Sequence, residues 1–200
     1  MLGFIHITKT GGTNIKDKNK NNNIKYGNYH NETAMTYKNN KMKCFAILRN
    51  PIERYVSLFY YNTQGSNKYK KTNNIKMNIN NFVSQHYENK TLIDKFERGM
   101  QFKKQVEWLE NADIDNTFLV MFSKNNLINN IREMCKYIGI DFIYDSNINN
   151  INVTNYDNSL ELTEDSKNKI IEMYLDDYNL YNKFVNLNKP FSTLSEIYNT

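Results

Sequence analysis

The sequence predicts an α/β domain with a central, mostly parallel sheet flanked by helices. Three observations carry that expectation. Apolar runs at 3–8, 43–48 and 116–122 have the length and composition of buried strands. Each is followed by a segment with helical spacing, and strand–helix alternation builds parallel sheets. The chain has 200 residues, a length that suits one domain spanning 1–200, and its hydrophobic share of 40% is enough for a core.

The elements follow in order. Residues 3–8 form a strand bounded by glycine, and Thr13 or Asn14 can cap the short helix behind it. The polar tract near 16–27 is a loop by composition. A short helix is expected over 32–38. The run "KCFAIL" is a second strand that leads into Arg49, and Pro51 suits the first turn of the next helix. In "PIERYVSLFYY", Ile52, Val56 and Phe59 share a helical face. Residues 65–78 are a polar loop, and helical patterns recur near 79–87 and 91–98. "NTFLVMF" is a third strand. The helix after it turns Leu127, Ile131, Met134 and Ile138 inward and stops at Gly139. Residues 141–159 are irregular, and one helix is expected from Thr163 to about 184.

Composition excludes more than it selects. The net charge of +5 favours anionic partners but equally describes a solvated lysine surface. Only four arginines occur, and Arg49 and Arg54 lie close together; a guanidinium offers phosphate a rigid fork that lysine does not. Cys44 and Cys135 fall in apolar settings, have no metal-ligand spacing and are expected as buried free thiols. No metal site is expected. No leader and no apolar run of membrane-spanning length is present, which leads to the expectation of a soluble, cytoplasmic protein without a membrane anchor.

Two segments carry chemistry. In "GFIHITKTGGTNI" a strand end meets a glycine pair, so backbone N–H groups can approach an anion without a Cβ in the way. Lys9 adds a mobile charge, and Thr10 and Thr13 add hydroxyls. The spacing is not that of the nucleotide triphosphatase loop, because the lysine precedes the glycines. In "AILRNPIERYVSLFYY", Arg49 leaves a strand and Ser57 follows inside the next helix. Both can serve an anion at the carboxyl edge of the sheet.

Together these segments resemble a family. "FIHITKTGGTNI" resembles the FxHxPKTGGTS signature of PAPS-dependent sulfotransferases of the heparan 2-O and 6-O type, and "RNPIERYVSLFYY" resembles their RxPxxRxxSxY segment. The stretches "QVEWLENADID", "NTFLVMFSKNNLINNIREMCKYIGI" and "NINNINVTNYDN" resemble later family segments in the same order. The resemblance implies a P-loop-like three-layer fold and metal-independent transfer of a sulfuryl group from PAPS, leaving PAP. It implies that Lys9, Thr10, Gly11, Gly12, Thr13 and Asn14 bind the 5′-phosphosulfate, that Arg49 and Ser57 bind the 3′-phosphate, and that Asn152 and Thr154 line the nucleotide site. His30 is the implied base for the acceptor hydroxyl, with Glu32 in reserve. His6 reads as a packed strand residue and His86 as an exposed one. Thr8 stands where the family has proline, and Lys124–Leu127 lacks the acidic residue before leucine.

The acceptor expected from these motifs is a glycan hydroxyl, with a protein tyrosine as the alternative. A nucleotide kinase or triphosphatase lacks its lysine spacing and an acidic metal ligand here. A non-catalytic polyanion binder is the remaining class. No nucleic-acid motif is present, so no nucleic-acid partner is expected. Oligomeric state is not legible.

Overall fold

The computed structural model describes residues 1–18, 23–27, 32–64, 77–95, 102–145 and 162–200, with the backbone alone at 14, 17, 18, 64, 94 and 95. Two compact units result. The first comprises Met1–Arg49, Gln105–Ile151 and Asn179–Thr200; the second comprises Asn50–Lys104 and Asn152–Tyr178.

The first unit is the α/β domain that the sequence leads one to expect. Its strands are β1 (Leu2–Ile5), β2 (Ile24–Tyr26), β3 (Cys44–Leu48), β4 (Thr117–Met121) and β5 (Phe191–Thr193), in the spatial order β2-β1-β3-β4-β5. All adjacent pairs are parallel except β4 with β5. The register sets Phe4 beside Phe45 and Ala46 beside Leu119. Strand alternation then sorts the core into two faces. Phe4, Phe45, Ile47, Phe118 and Val120 pack with Ile15 of α1 (Gly12–Lys18) and with Ile131 and Met134 of α5 (Leu127–Tyr137). Ile5, Ala46, Leu48 and Leu119 pack on the other side with Tyr37 of α2 (Ala34–Asn39), Phe184 of α7 (Leu175–Asn186) and Ile197 of α8 (Leu194–Tyr198). Helices thus cover both faces, giving three layers. One buried free thiol lies on each: Cys135 with the first group and Cys44 with the second. Burial pushes them up to about 12 and about 11 respectively.

Local signals close these elements. Helix α5 ends as expected at Gly139, whose φ of 74° is left-handed. Gly139 N–H donates to Lys136 C=O and Ile140 N–H to Cys135 C=O, the paired bonds of a Schellman ending. Cys135, not Ile138, completes its fully buried stripe with Leu127, Ile131 and Met134. Strands β2 and β5 and helix α8 are additions to the sequence reading. The first lies in the tract read as loop, and only its Ile24 is buried.

The second unit is helical: α3 (Pro51–Gln64), α4 (Ile79–Glu88) and α6 (Glu164–Met173), with a 3-10 segment at Lys90–Lys95 where a helix over 91–98 was expected. Asn50 caps α3, its Oδ1 accepting from Ile52 N–H at 3.0 Å and Glu53 N–H at 3.2 Å. The deeply buried face of α3 is Tyr55, Leu58, Phe59 and Tyr60; Ile52 and Val56 are only partly covered. The single helix expected from Thr163 breaks at Tyr174, which is buried and donates through its hydroxyl to Phe102 C=O at 2.7 Å. Thr163 does cap α6, accepting from Ser166 N–H. Arg54 is buried and its Nη2 donates to Lys103 C=O at 2.9 Å.

His86 corrects the sequence reading. It is buried, not exposed, because Phe82 and Val83, one turn earlier on α4, share its face and draw it among Tyr55 and Phe102. Its Nδ1 lies 2.8 Å from the Tyr55 hydroxyl. Burial holds the imidazole down to about 4 and the Tyr55 phenol well above its ordinary value. Both groups are therefore neutral near pH 7, and the imidazole tautomer sets which of the two donates. Below the unfolded value of about 6.5 the unfolded chain binds a proton that the folded chain refuses. Stability is thus complete above pH 6.5 and falls as pH drops toward about 4, by about 3 kcal/mol from this group. Urea unfolding at stepped pH should show this slope, and His86→Gln should flatten it; an equal slope in the variant would rule the assignment out.

Candidate active site at the carboxyl ends of β1 and β3

The strand order fixes where a ligand can sit. From β1 the chain passes through α1 to β2 on one side; from β3 the next strand of the sheet is β4, on the other side. Connections diverge between β1 and β3, and in open α/β sheets the crevice beyond the strand carboxyl ends at such a point is the binding position. Both sequence-predicted segments, the loop after β1 and Arg49 after β3, belong to this point.

The loop is built by its own residues. Lys9 and Gly11 have φ of 61° and 87°, left-handed conformations on either side of Thr10. Thr10 is fully buried and its hydroxyl donates to Ile7 C=O at 2.9 Å, so that hydroxyl shapes the turn and its proton is committed inward. At Gly11 a Cβ would stand 3.1 Å from Leu127 and 3.2 Å from Phe122; at Gly12 it would strike the His6 ring at 2.2 Å. Gly12 is therefore required by close approach, and Gly11 by its left-handed φ. His6 lies just past the end of β1 and stacks on Phe4, ring centroids 5.7 Å apart, in keeping with its packed reading. Thr13 is partly exposed on α1, while the side chain of Asn14 lies outside the described atoms.

Arg49 and Lys9 meet. Arg49 is buried, its Nη1 donates to Lys9 C=O at 3.1 Å, and its guanidinium carbon stands 4.6 Å from the Phe122 ring centroid. Burial, and secondarily the Arg49 charge, pulls the Lys9 ammonium down to about 8. Two cations from neighbouring strand ends thus lie near enough for the Arg49 charge to disfavour that of Lys9. An anion there would relieve their repulsion, which is the chemistry the donor set fits.

Ser57 is buried on α3 in the second unit. His30, Asn152 and Thr154 lie outside the described residues. Glu32, the reserve base, accepts from the Tyr37 hydroxyl at 2.5 Å and packs its carboxyl against Gly27, where a Cβ would stand 2.0 Å away. Tyr60 is buried among aromatic residues of its unit.

Sequence reasoning gave no role to Phe122 or to Gln105. Phe122 follows β4 directly and touches both the glycine loop and Arg49. Gln105 contacts the Arg49 backbone. The signal for Phe122 was its place at a strand's carboxyl end; for Gln105 it was the first position of the family-like segment "QVEWLENADID", to which no role was attached. Among the described residues no helix is long and apolar enough to cross a membrane.

No protein-family model matches the chain. No curated protein is similar to it at a significant level. Among solved structures, the crystal structure of a sulfotransferase from Alicyclobacillus acidocaldarius matches at 15% identity and a TM-score of 0.42, covering 72% of this chain and 55% of that one. The chain thus spans about half the length of that protein. A likeness at that identity and score decides neither fold nor chemistry, which rest on the sheet and the loop themselves.

Proposed function

We propose that the chain is a sulfotransferase that takes a sulfuryl group from PAPS and passes it to an acceptor hydroxyl, with a glycan as the leading acceptor. The observation that supports this reading is the Arg49 guanidinium bonded to the Lys9 carbonyl at the switch point, near enough for its charge to disfavour that of the Lys9 ammonium. A nucleotide phosphorylated at both ends offers two anions to such a pair. The order of sequence segments quoted above supports PAPS over other nucleotides.

In this reading Lys9 and the backbone of Thr10 to Gly12 hold the phosphosulfate end, with Thr13 and Asn14 beside it. Arg49 holds the 3′-phosphate; the segment resemblance alone assigns Ser57 to that phosphate and Asn152 and Thr154 to the nucleotide. The donor supplies a sulfuryl group whose sulfur–oxygen bridge bond breaks with its electron pair leaving on the phosphate. Lys9 neutralises that oxygen as charge grows on it, a positioning and electrostatic role that costs no reorganisation. His30 takes the proton from the acceptor hydroxyl as its oxygen bonds to sulfur. A tyrosine hydroxyl would obey the same bookkeeping.

Ligand-dependent melting tests the reading. Adenosine 3′,5′-bisphosphate at about a hundred times its dissociation constant should stabilise the chain by about 2.7 kcal/mol, and ADP should not. Stabilisation by ATP with magnesium alone would overturn it in favour of a kinase or triphosphatase. Transfer of labelled sulfate from PAPS to a panel of glycans and tyrosine peptides then identifies the acceptor.

A further inference from the structure

Gln105 opens a 3-10 turn (Gln105–Trp108) and is fully buried. Its Oε1 accepts from Arg49 N–H at 3.1 Å and its Nε2 donates to Arg49 C=O at 2.9 Å. The pairing satisfies both backbone polar groups of Arg49 and fixes which way the side-chain amide faces. The β3–β4 ladder has its last bond at Leu48, whose carbonyl accepts from Phe122 N–H at 2.8 Å. One residue later the pairing at Arg49 comes from a side-chain amide that stands in for a peptide. Beyond that anchor the Arg49 side chain reaches Lys9 C=O and lies over Phe122.

We propose that Gln105 is a positioning residue for the anion site: by holding the Arg49 peptide through both of its polar groups, it sets the direction in which the guanidinium leaves the sheet. The inference rests on the reading of this crevice as a site for a 3′-phosphorylated donor. Few residues could substitute. Leucine would supply neither bond, and a carboxylate could accept but not donate. Only a side chain with an acceptor and a donor side by side meets both.

Calorimetric titration of adenosine 3′,5′-bisphosphate into wild type, Gln105→Leu, Arg49→Ala and the double variant reads the coupling. Gln105→Leu should weaken binding by roughly 10- to 100-fold, as small misplacements of a binding group do. The double variant should bind no worse than Arg49→Ala. Losses that multiply in the double variant would overturn the proposal, since Gln105 would then act by another route. Gln105→Glu covers the case in which Gln105→Leu fails to fold. Its ionised carboxylate lacks the donor and regains it on protonation, so its deficit relative to wild type should shrink between about pH 7.5 and about pH 5.5. A deficit indifferent to pH would also overturn it. If wild type binds no bisphosphate, the donor reading fails by itself. The positioning role is then read from the Arg49 Nε–H resonance of the ligand-free protein, which must move in Gln105→Leu; an unmoved resonance refutes it.

Discussion

Exchange of Lys9 for methionine should lower sulfuryl transfer by about 10³-fold while the protein melts no earlier than wild type. The two halves of this expectation come from one cause. The ammonium is held where burial and Arg49 both disfavour its charge, and they pull it down to about 8. A neutral side chain of similar length removes that conflict, so stability is unchanged or improves. On the proposed reading, transfer suffers because the leaving oxygen loses the cation assigned to it. Affinity for adenosine 3′,5′-bisphosphate should fall far less, since Arg49 remains. The pH profile gives the sign independently. Binding of an anion needs the ammonium form, so wild-type affinity should weaken as pH rises through about 8, and the Lys9→Met variant should lack that limb. Melting curves, titrations across pH and turnover with labelled PAPS are the measurements. A variant that loses stability in step with activity would reduce Lys9 to a packing residue.

The second large effect lies at Gly3. An alanine Cβ there would stand 2.2 Å from Cδ1 of the Tyr37 ring. The ring has nowhere to go: Tyr37 is fully buried, and its hydroxyl reaches Phe4 C=O at 3.0 Å and Glu32 at 2.5 Å. Gly3→Ala should therefore destabilise the chain by about 3 kcal/mol, at the upper end of overpacking costs, read as a fall in urea midpoint at constant slope. Gly3→Ala combined with Tyr37→Leu should cost less than the sum of the two, because the smaller side chain vacates the space the methyl needs. A loss under about 1 kcal/mol for Gly3→Ala, or strict additivity, would mean the ring yields easily.

How much of this was legible follows from physical cause. β1, β3 and β4 declare themselves because strands covered on both faces read as unbroken apolar runs; only their ends shift, as with 3–8 against Leu2–Ile5. Helix α5 announces both its stripe and its stop. The edge strands are silent. β2 has three residues, and β5 buries Ser192 where alternation would call for an apolar side chain, its hydroxyl bonded to Glu196. The Thr193–Glu196 capping box that opens α8 was readable from the Thr-x-x-Glu spacing and went unused. His86 misled because its chain neighbours are polar, whereas burial is decided by residues three and four positions away. In the candidate site, Lys9, Gly11, Gly12 and Arg49 were visible as residue types that bind anions. Gln105 was visible as the first residue of a family-like segment, but its partner was not, because the contact spans 56 positions of chain and depends on a backbone pairing that no local pattern encodes.

The cysteines on opposite faces of the sheet have a practical consequence. Alkylating reagents attack the thiolate, and burial denies both side chains that form while the layers are closed. Each face therefore carries its own dormant chemical tag, released only when the helices above it lift. Mass spectrometry of a brief labelling pulse can then time the opening of one face against the other without adding a probe.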